Sequence, residues 1–347
     1  MIWRVMRSRL VAALVGVSLV SLALRSPVFA AEATKPAALV PAAEPASKAA
    51  GLVPAVRVAH ATQATMLAAT RAGARIVAVG DHGVVLLSDD GGKSFRQAQQ
   101  VPVDVTLTAV SFADAQQGWA VGHAGVVLHT ADGGETWALQ RSDLQNDRPL
   151  FAVKFFDAKR GVAVGLWSLV LVTDDGGVTW QTVQPPVPEG AKKADLNLLG
   201  LFTDAQGRVY ATAERGMLAR SDDQGRSWTY LRSGYAGSFW TGLGLADGTL
   251  LAAGLRGSLY CSSDEGRSWT RIETNSKSSI TALAQVGSEV IAVGLDGLVL
   301  RSTDGGASFK TELRADRVSL TALSTGADGR PLLFSRQGLV AAGESRK

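Results

Sequence analysis

Three arginines, Arg215, Arg256 and Arg336, stand in matching turns of an internal repeat, each turn between two apolar runs. A guanidinium grips a carboxylate through paired donors, so arginines converging from neighbouring repeats would make an anion-binding face. His82 and His123 occupy the same kind of turn in adjacent repeats, and Asp81 and Glu214 sit in it too. Two imidazoles and a carboxylate suffice for zinc when they meet. Asp81 with Glu214 is also the best carboxylate pair for glycoside cleavage, which takes two such groups about 5 to 10 Å apart or a tyrosine nucleophile. Tyr210, Tyr230, Tyr235 and Tyr260, the four tyrosines, all lie outside the recurring turns. Spacing alone does not bring side chains of separate repeats together. No catalytic residue, metal or cofactor is therefore assigned, and partner binding is the leading expectation, with a glycoside hydrolase as the alternative.

The elements that must position these groups are set by the repeat. The octet Ser88-Asp89-Asp90-Gly91-Gly92-Lys93-Ser94-Phe95 recurs at 130–137, 173–180, 221–228, 262–269 and 302–309, with start-to-start spacings of 42, 43, 48, 41 and 40. Every copy keeps Ser or Thr first and seventh, Asp third, Gly fifth and an aromatic eighth. Each octet follows two apolar runs joined by a tight turn, as in Ile76-Val77-Ala78-Val79-Gly80 and Gly83-Val84-Val85-Leu86-Leu87. A third apolar run lies upstream and a fourth downstream, which makes four short antiparallel strands per forty residues, the pattern of a propeller blade. Asp90, Asp132, Asp175, Asp223, Asp264 and Asp304 are expected to accept backbone N–H groups of their own turns. One carboxylate per loop falls short of what calcium takes.

Seven blades are expected. After Phe309 the chain gives three more strands around the turn Ser335-Arg336-Gln337-Gly338 and stops without an octet. A fourth strand from residues 52–58 would close this ring and cover two free edges. The fold class is thus an all-β, seven-bladed propeller of four-stranded antiparallel blades, six with octets, the seventh closed by an N-terminal strand. The turn pairs run Asp81-His82, His123-Ala124, Leu166-Trp167, Glu214-Arg215, Leu255-Arg256, Leu295-Asp296 and Arg336-Gln337. They project opposite the octets and vary while the frame repeats, so Asp81, His82, His123, Trp167, Glu214, Arg215, Arg256, Asp296 and Arg336 are the expected partner-binding residues. Phe239-Trp240 reads as strand core.

Residues 1–30 have the three parts of a secretory signal: Arg4, Arg7 and Arg9, an apolar run over 10–24, and Val28-Phe29-Ala30 as the cleavage site. Removing them turns the formal +4 into 31 basic against 31 acidic residues, which removes any charge-based case for nucleic-acid binding. Residues 31–52 are an Ala- and Pro-rich tether and 53–347 the propeller. Cys261 stands alone, so stability must come from burial rather than a disulfide. A periplasmic or secreted monomer, cleaved after Ala30 and without stable membrane insertion, is expected.

The octet is similar to the Asp-box, or BNR, repeat of sialidases and many other propellers, although the Arg-Ile-Pro motif of sialidases is absent. The fuller unit is narrower. Phe112-Ala113-Asp114-Ala115-Gln116-Gln117-Gly118-Trp119-Ala120-Val121-Gly122, then Gly125-Val126-Val127-Leu128 and the octet at 130–137, resembles the photosystem II stability and assembly factor family and its relatives outside phototrophs. The resemblance implies an exported, noncatalytic seven-bladed scaffold for membrane-protein complexes. In non-phototrophs it implies association with transporters of the resistance-nodulation-division type.

Overall fold

The computed structural model describes residues 51–340; the expected signal and nearly all of the tether lie outside the described residues, as do 341–347. Seven antiparallel sheets follow one another along the chain: 66–97, 107–141, 150–183, 198–232, 239–272, 280–313 and 320–340. These are blades 1 to 7 of an all-β propeller. In blade 2 the strands are Leu107–Phe112, Gly118–Gly122, Val127–Thr130 and Ala138–Arg141, hydrogen-bonded in chain order. Second strands such as Gly161–Gly165 and Val209–Ala213 are buried at every position, because both faces of a blade are covered by its neighbours.

The core lies between blades. One cluster joins Val77, Val79, Val85 and Leu87 of blade 1 to Leu107, Ala120, Leu128 and Trp137 of blade 2. Removing one such buried ring costs roughly 3–5 kcal/mol. Small residues let adjoining segments close up: a Cβ on Gly80 would sit 1.8 Å from the Thr65 carbonyl oxygen.

The octets fold each outer turn onto its aspartate. Asp264 Oδ1 accepts the Ser262 hydroxyl at 2.8 Å and the Ser268 N–H at 2.9 Å, and Oδ2 accepts the Ser268 hydroxyl at 2.6 Å. The Ser268 hydroxyl and N–H, followed by the Ser262 hydroxyl, hold its carboxyl down to about 2. Asp132, Asp175, Asp223 and Asp304 repeat this set, and Asp90 adds the Lys93 N–H.

Ring closure differs from the sequence expectation in one respect. Among the described residues blade 7 has three strands, Leu320–Thr325, Pro331–Ser335 and Gly338–Val340, and 52–58 does not join them. That segment runs along the outer edge of blade 1 instead, where Ala55 N–H donates to the Val101 carbonyl at 3.0 Å and Val58 N–H to Gln97 Oε1 at 2.9 Å. The outer strand there, Arg96–Gln97, has only two residues, which leaves partners free beside it. Blade 7 meets the N-terminal side through one turn of 3-10 helix, Ala61–Gln63, packed so tightly that a Cβ on Gly338 would lie 1.8 Å from the Thr62 carbonyl oxygen. The inner strands close the ring with the device used elsewhere: Thr108 of blade 2 donates to the Leu150 carbonyl of blade 3 at 2.7 Å, and Thr321 of blade 7 donates likewise to Met66 of blade 1.

Candidate functional site

The turn between second and third strands has one geometry in blades 1 to 6. In blade 1 the Val84 N–H donates to the Asp81 carbonyl at 3.0 Å, and both intervening residues take positive φ, His82 at 54° and Gly83 at 64°. Those are the marks of a type I′ turn, whose twist suits antiparallel strands. Its central pair is His82-Gly83, one residue later than the pair read from the sequence, because Asp81 still accepts the closing hydrogen bond. The first central residue carries a side chain in six blades: His82, Ala124, Trp167, Arg215, Arg256 and Asp296, with φ from 53° to 59°. Each such residue is strained by roughly 1–2 kcal/mol. Blade 3 doubles the strain, since Ser168, at φ 55°, replaces the usual glycine.

Strain of this kind persists only where the surroundings over-determine it. The residue just before each inner strand supplies the hold: Thr65, Thr106, Pro149, Asn197, Ser238, Ser279 and Ser319 each sit between two turns. Backbone carbonyls at this position serve their own blade, as Thr65 O accepts Asp81 N–H at 3.0 Å and Ser279 O accepts Leu295 N–H at 2.9 Å. Side chains reach the preceding blade. Asn197 Oδ1 accepts Trp167 N–H at 3.1 Å, Ser279 Oγ accepts Arg256 N–H at 3.1 Å, and Ser319 Oγ accepts Asp296 N–H at 3.4 Å. Thr106 donates to Asp81 Oδ1 at 3.0 Å, and Thr65 donates to the Arg336 carbonyl at 3.0 Å, which carries the belt across the ring closure. Sequence reasoning missed this belt. Its signal is a polar residue immediately before the inner strand in six of seven repeats, which reads as ordinary loop until the blades are ringed.

The belt divides the expected site residues. Asp81, Glu214 and Asp296 are engaged within it: Glu214 accepts Asn197 Nδ2 at 3.0 Å and Asn197 N–H at 3.2 Å, and Asp296 accepts the Ser278 hydroxyl at 2.9 Å. Asp81 and Glu214 are thus each bound to a loop at their own place on the ring, and they position turns. His82 and His123 are exposed. No group of three or more His, Cys, Asp or Glu side chains comes together among the described residues.

Arg215, Arg256 and Arg336 are exposed, and their side chains make no hydrogen bond or salt bridge among the described residues. On the octet side the guanidiniums are engaged. Arg75 pairs with Asp89 at 2.5 Å and Glu135 at 3.1 Å, and Glu265 of blade 5 takes both Arg208, at 2.8 Å, and Arg220, at 3.2 Å, of blade 4. Trp167, 59% exposed, holds an indole out from the same turns as the unpaired arginines. Phe239-Trp240 splits: Phe239 is buried, whereas Trp240, at the bulge that Thr241 follows, is half-buried.

Residues 96–217 match the family model described as "Photosynthesis system II assembly factor YCF48". No curated protein matches the chain. A solved structure described as "YCF48 bound to D1 peptide" aligns with TM-score 0.66 and 19% identity over 82% of this chain and 94% of that one. "YCF48 from Cyanidioschyzon merolae" aligns with TM-score 0.64 and 17% identity over 82% of this chain and 96% of that one. At these identities the likeness is one of fold. Residues 96–217 are thus similar to the photosystem II assembly factor family, and the chain shares the β-propeller architecture of the two solved structures.

Proposed function

We propose that the chain is an exported, noncatalytic scaffold whose arginine-bearing turns hold a carboxylate-bearing, extended segment of a partner protein in a membrane-protein complex. The observation that carries the reading is the contrast between the two faces: guanidiniums beside the octets are ion-paired, whereas Arg215, Arg256 and Arg336 are exposed and unpaired among the described residues. An unpaired guanidinium keeps its bidentate capacity for a carboxylate. The belt beneath keeps the turns in fixed conformations, so little ordering is left for binding to supply. The structure described as YCF48 bound to D1 peptide supports a peptide partner for this architecture. On this reading the chain is cleaved after Ala30 and works as a monomer in the periplasm or outside the cell, and the partner proposed for a non-phototroph is the transporter of the resistance-nodulation-division type that the family resemblance implies. Glycoside hydrolysis is disfavoured by the engagement of Asp81 and Glu214 with separate loops.

The test is a pull-down from detergent-solubilised membranes with the mature chain. A stoichiometric membrane protein, lost with Arg215→Ala/Arg256→Ala/Arg336→Ala while the melting temperature holds, is the expected result. Turnover of an aryl glycoside that Glu214→Gln abolishes would refute the reading.

A further inference from the structure

In six of the seven junctions an octet aromatic fills the groove between blades. Trp137 shares a buried cluster with Val77, Val79, Val85 and Leu87 of blade 1, and Trp228 one with Val162, Val164, Val170 and Val172 of blade 3. Phe95 of blade 1 meets Phe334 of blade 7 edge to face, with centroids 5.8 Å apart. No octet follows the Gly338–Val340 strand within residues 341–347, and the matching groove on blade 6 has no aromatic lining it. A cleft of about 590 Å³ stands there, with Ile291, Val299, Leu313, Pro331 and Leu333 as its apolar lining. By register Ile291 and Val299 are the counterparts of Val77 and Val85, which cluster with Trp137. The Gly338–Val340 strand has no outer neighbour among the described residues, and Val340 packs on the same cluster as Ile291 and Val299.

We propose that this cleft is a docking site for one aromatic side chain on an extended segment of a partner protein, which adds to the Gly338–Val340 edge as a fourth strand. Strand addition to a free edge supplies main-chain hydrogen bonds, and a pocket beside the edge supplies side-chain choice. The six sister junctions show what such a groove holds, an indole or a phenyl ring. Residues 31–50 and 341–347 contain no Trp, Phe or Tyr that could fill the cleft, and Trp3 and Phe29 fall in the segment expected to be cleaved. At the rim Arg301 is paired with Glu289 at 2.9 Å and Glu312 at 3.8 Å. The lining runs from Gly287, Ser288 and Gly329, in turns between first and second strands, to Leu313 and Arg314 beside the Asp296-Gly297 turn, and it includes none of Arg215, Arg256 and Arg336, so this is a second site.

The probe is a fluorescein-labelled peptide copying residues 262–272, Ser-Ser-Asp-Glu-Gly-Arg-Ser-Trp-Thr-Arg-Ile, titrated by fluorescence anisotropy with the full mature chain. Saturable binding in the micromolar range is expected, weakened about thirtyfold when the peptide carries Ala for Trp, as for a buried aromatic anchor. Leu313→Glu, at a position 43% exposed and therefore tolerant, is expected to weaken binding about tenfold with unchanged melting. The triple arginine variant is expected to bind normally, which separates this site from the one proposed above. Equal binding of the Ala peptide, loss with the arginine variant, or no saturation below about 1 mM overturns the proposal. Saturation that appears only after Leu39→Asp/Val40→Asp shows the chain's own tether in the cleft and overturns it too.

Discussion

Asn197→Ala should loosen two turns at once, because Asn197 is the link between them. Its Oδ1 accepts the N–H of Trp167 in the preceding blade, a residue at φ 53° beside Ser168 at 55°, and its Nδ2 donates to Glu214 in its own blade. A neutral hydrogen bond contributes roughly 0.5–1.5 kcal/mol and one to a charged group roughly 1.5–3 kcal/mol. Partial exposure reduces the sum, so a loss of about 2 kcal/mol is expected, or about 4 °C in melting temperature for a chain of this size. Ser238→Ala is the control, since the Ser238 hydroxyl at the same place in blade 5 makes no hydrogen bond among the described residues. Calorimetry gives the total. Hydrogen exchange locates it, with faster exchange expected at Trp167 and Ser168 and none of this in the control. A loss under about 0.5 kcal/mol, within the range of ordinary surface substitutions, or equal effects from both variants, would refute the belt as the hold on the strained turns.

Gly80→Ala should destabilise by about 3 kcal/mol in urea unfolding, at the upper end for overpacking, because the new Cβ meets only backbone, 1.8 Å from Thr65 O and 2.9 Å from Met66 Cα. The octets predict a pH window. Asp90, Asp132, Asp175, Asp223, Asp264 and Asp304 all have carboxyls held below the ordinary value, and Asp264 is held at about 2. A depressed carboxyl stabilises fully above its unfolded value, about 3.9, and this stability is lost as pH falls through the folded value. Melting temperature should therefore hold from pH 7 to about 5 and fall between about pH 4 and 2. Asp264→Asn should flatten part of that fall, and a profile unchanged by it would count against the octet as an acid-sensitive staple.

Much of the blade architecture was legible because its cause is local. An octet closes on its own aspartate through partners two to four residues away, so six copies in register announced six outer turns before any contact between blades was known. Short apolar runs bounded by glycine turns announced the strands for the same reason. The site was legible only in outline. The varying turn residues marked the rim, but the role of each depends on neighbours 17 to 30 residues away: Asn197 ties Trp167 to Glu214, while no side-chain partner among the described residues ties Arg215, Arg256 or Arg336. The closure was misread because residues 52–58 have strand-forming composition, yet which edge receives them depends on which donors and acceptors are left free when the ring meets itself, and those stand at Gln97 and Val101. The sequence by itself determined the blade, its number and its octet staple, all short-range hydrogen bonding and periodicity. Only the tertiary structure decided the belt, the unpaired arginines and the cleft beside blade 7, because each exists between blades that are distant along the chain and adjacent in the ring.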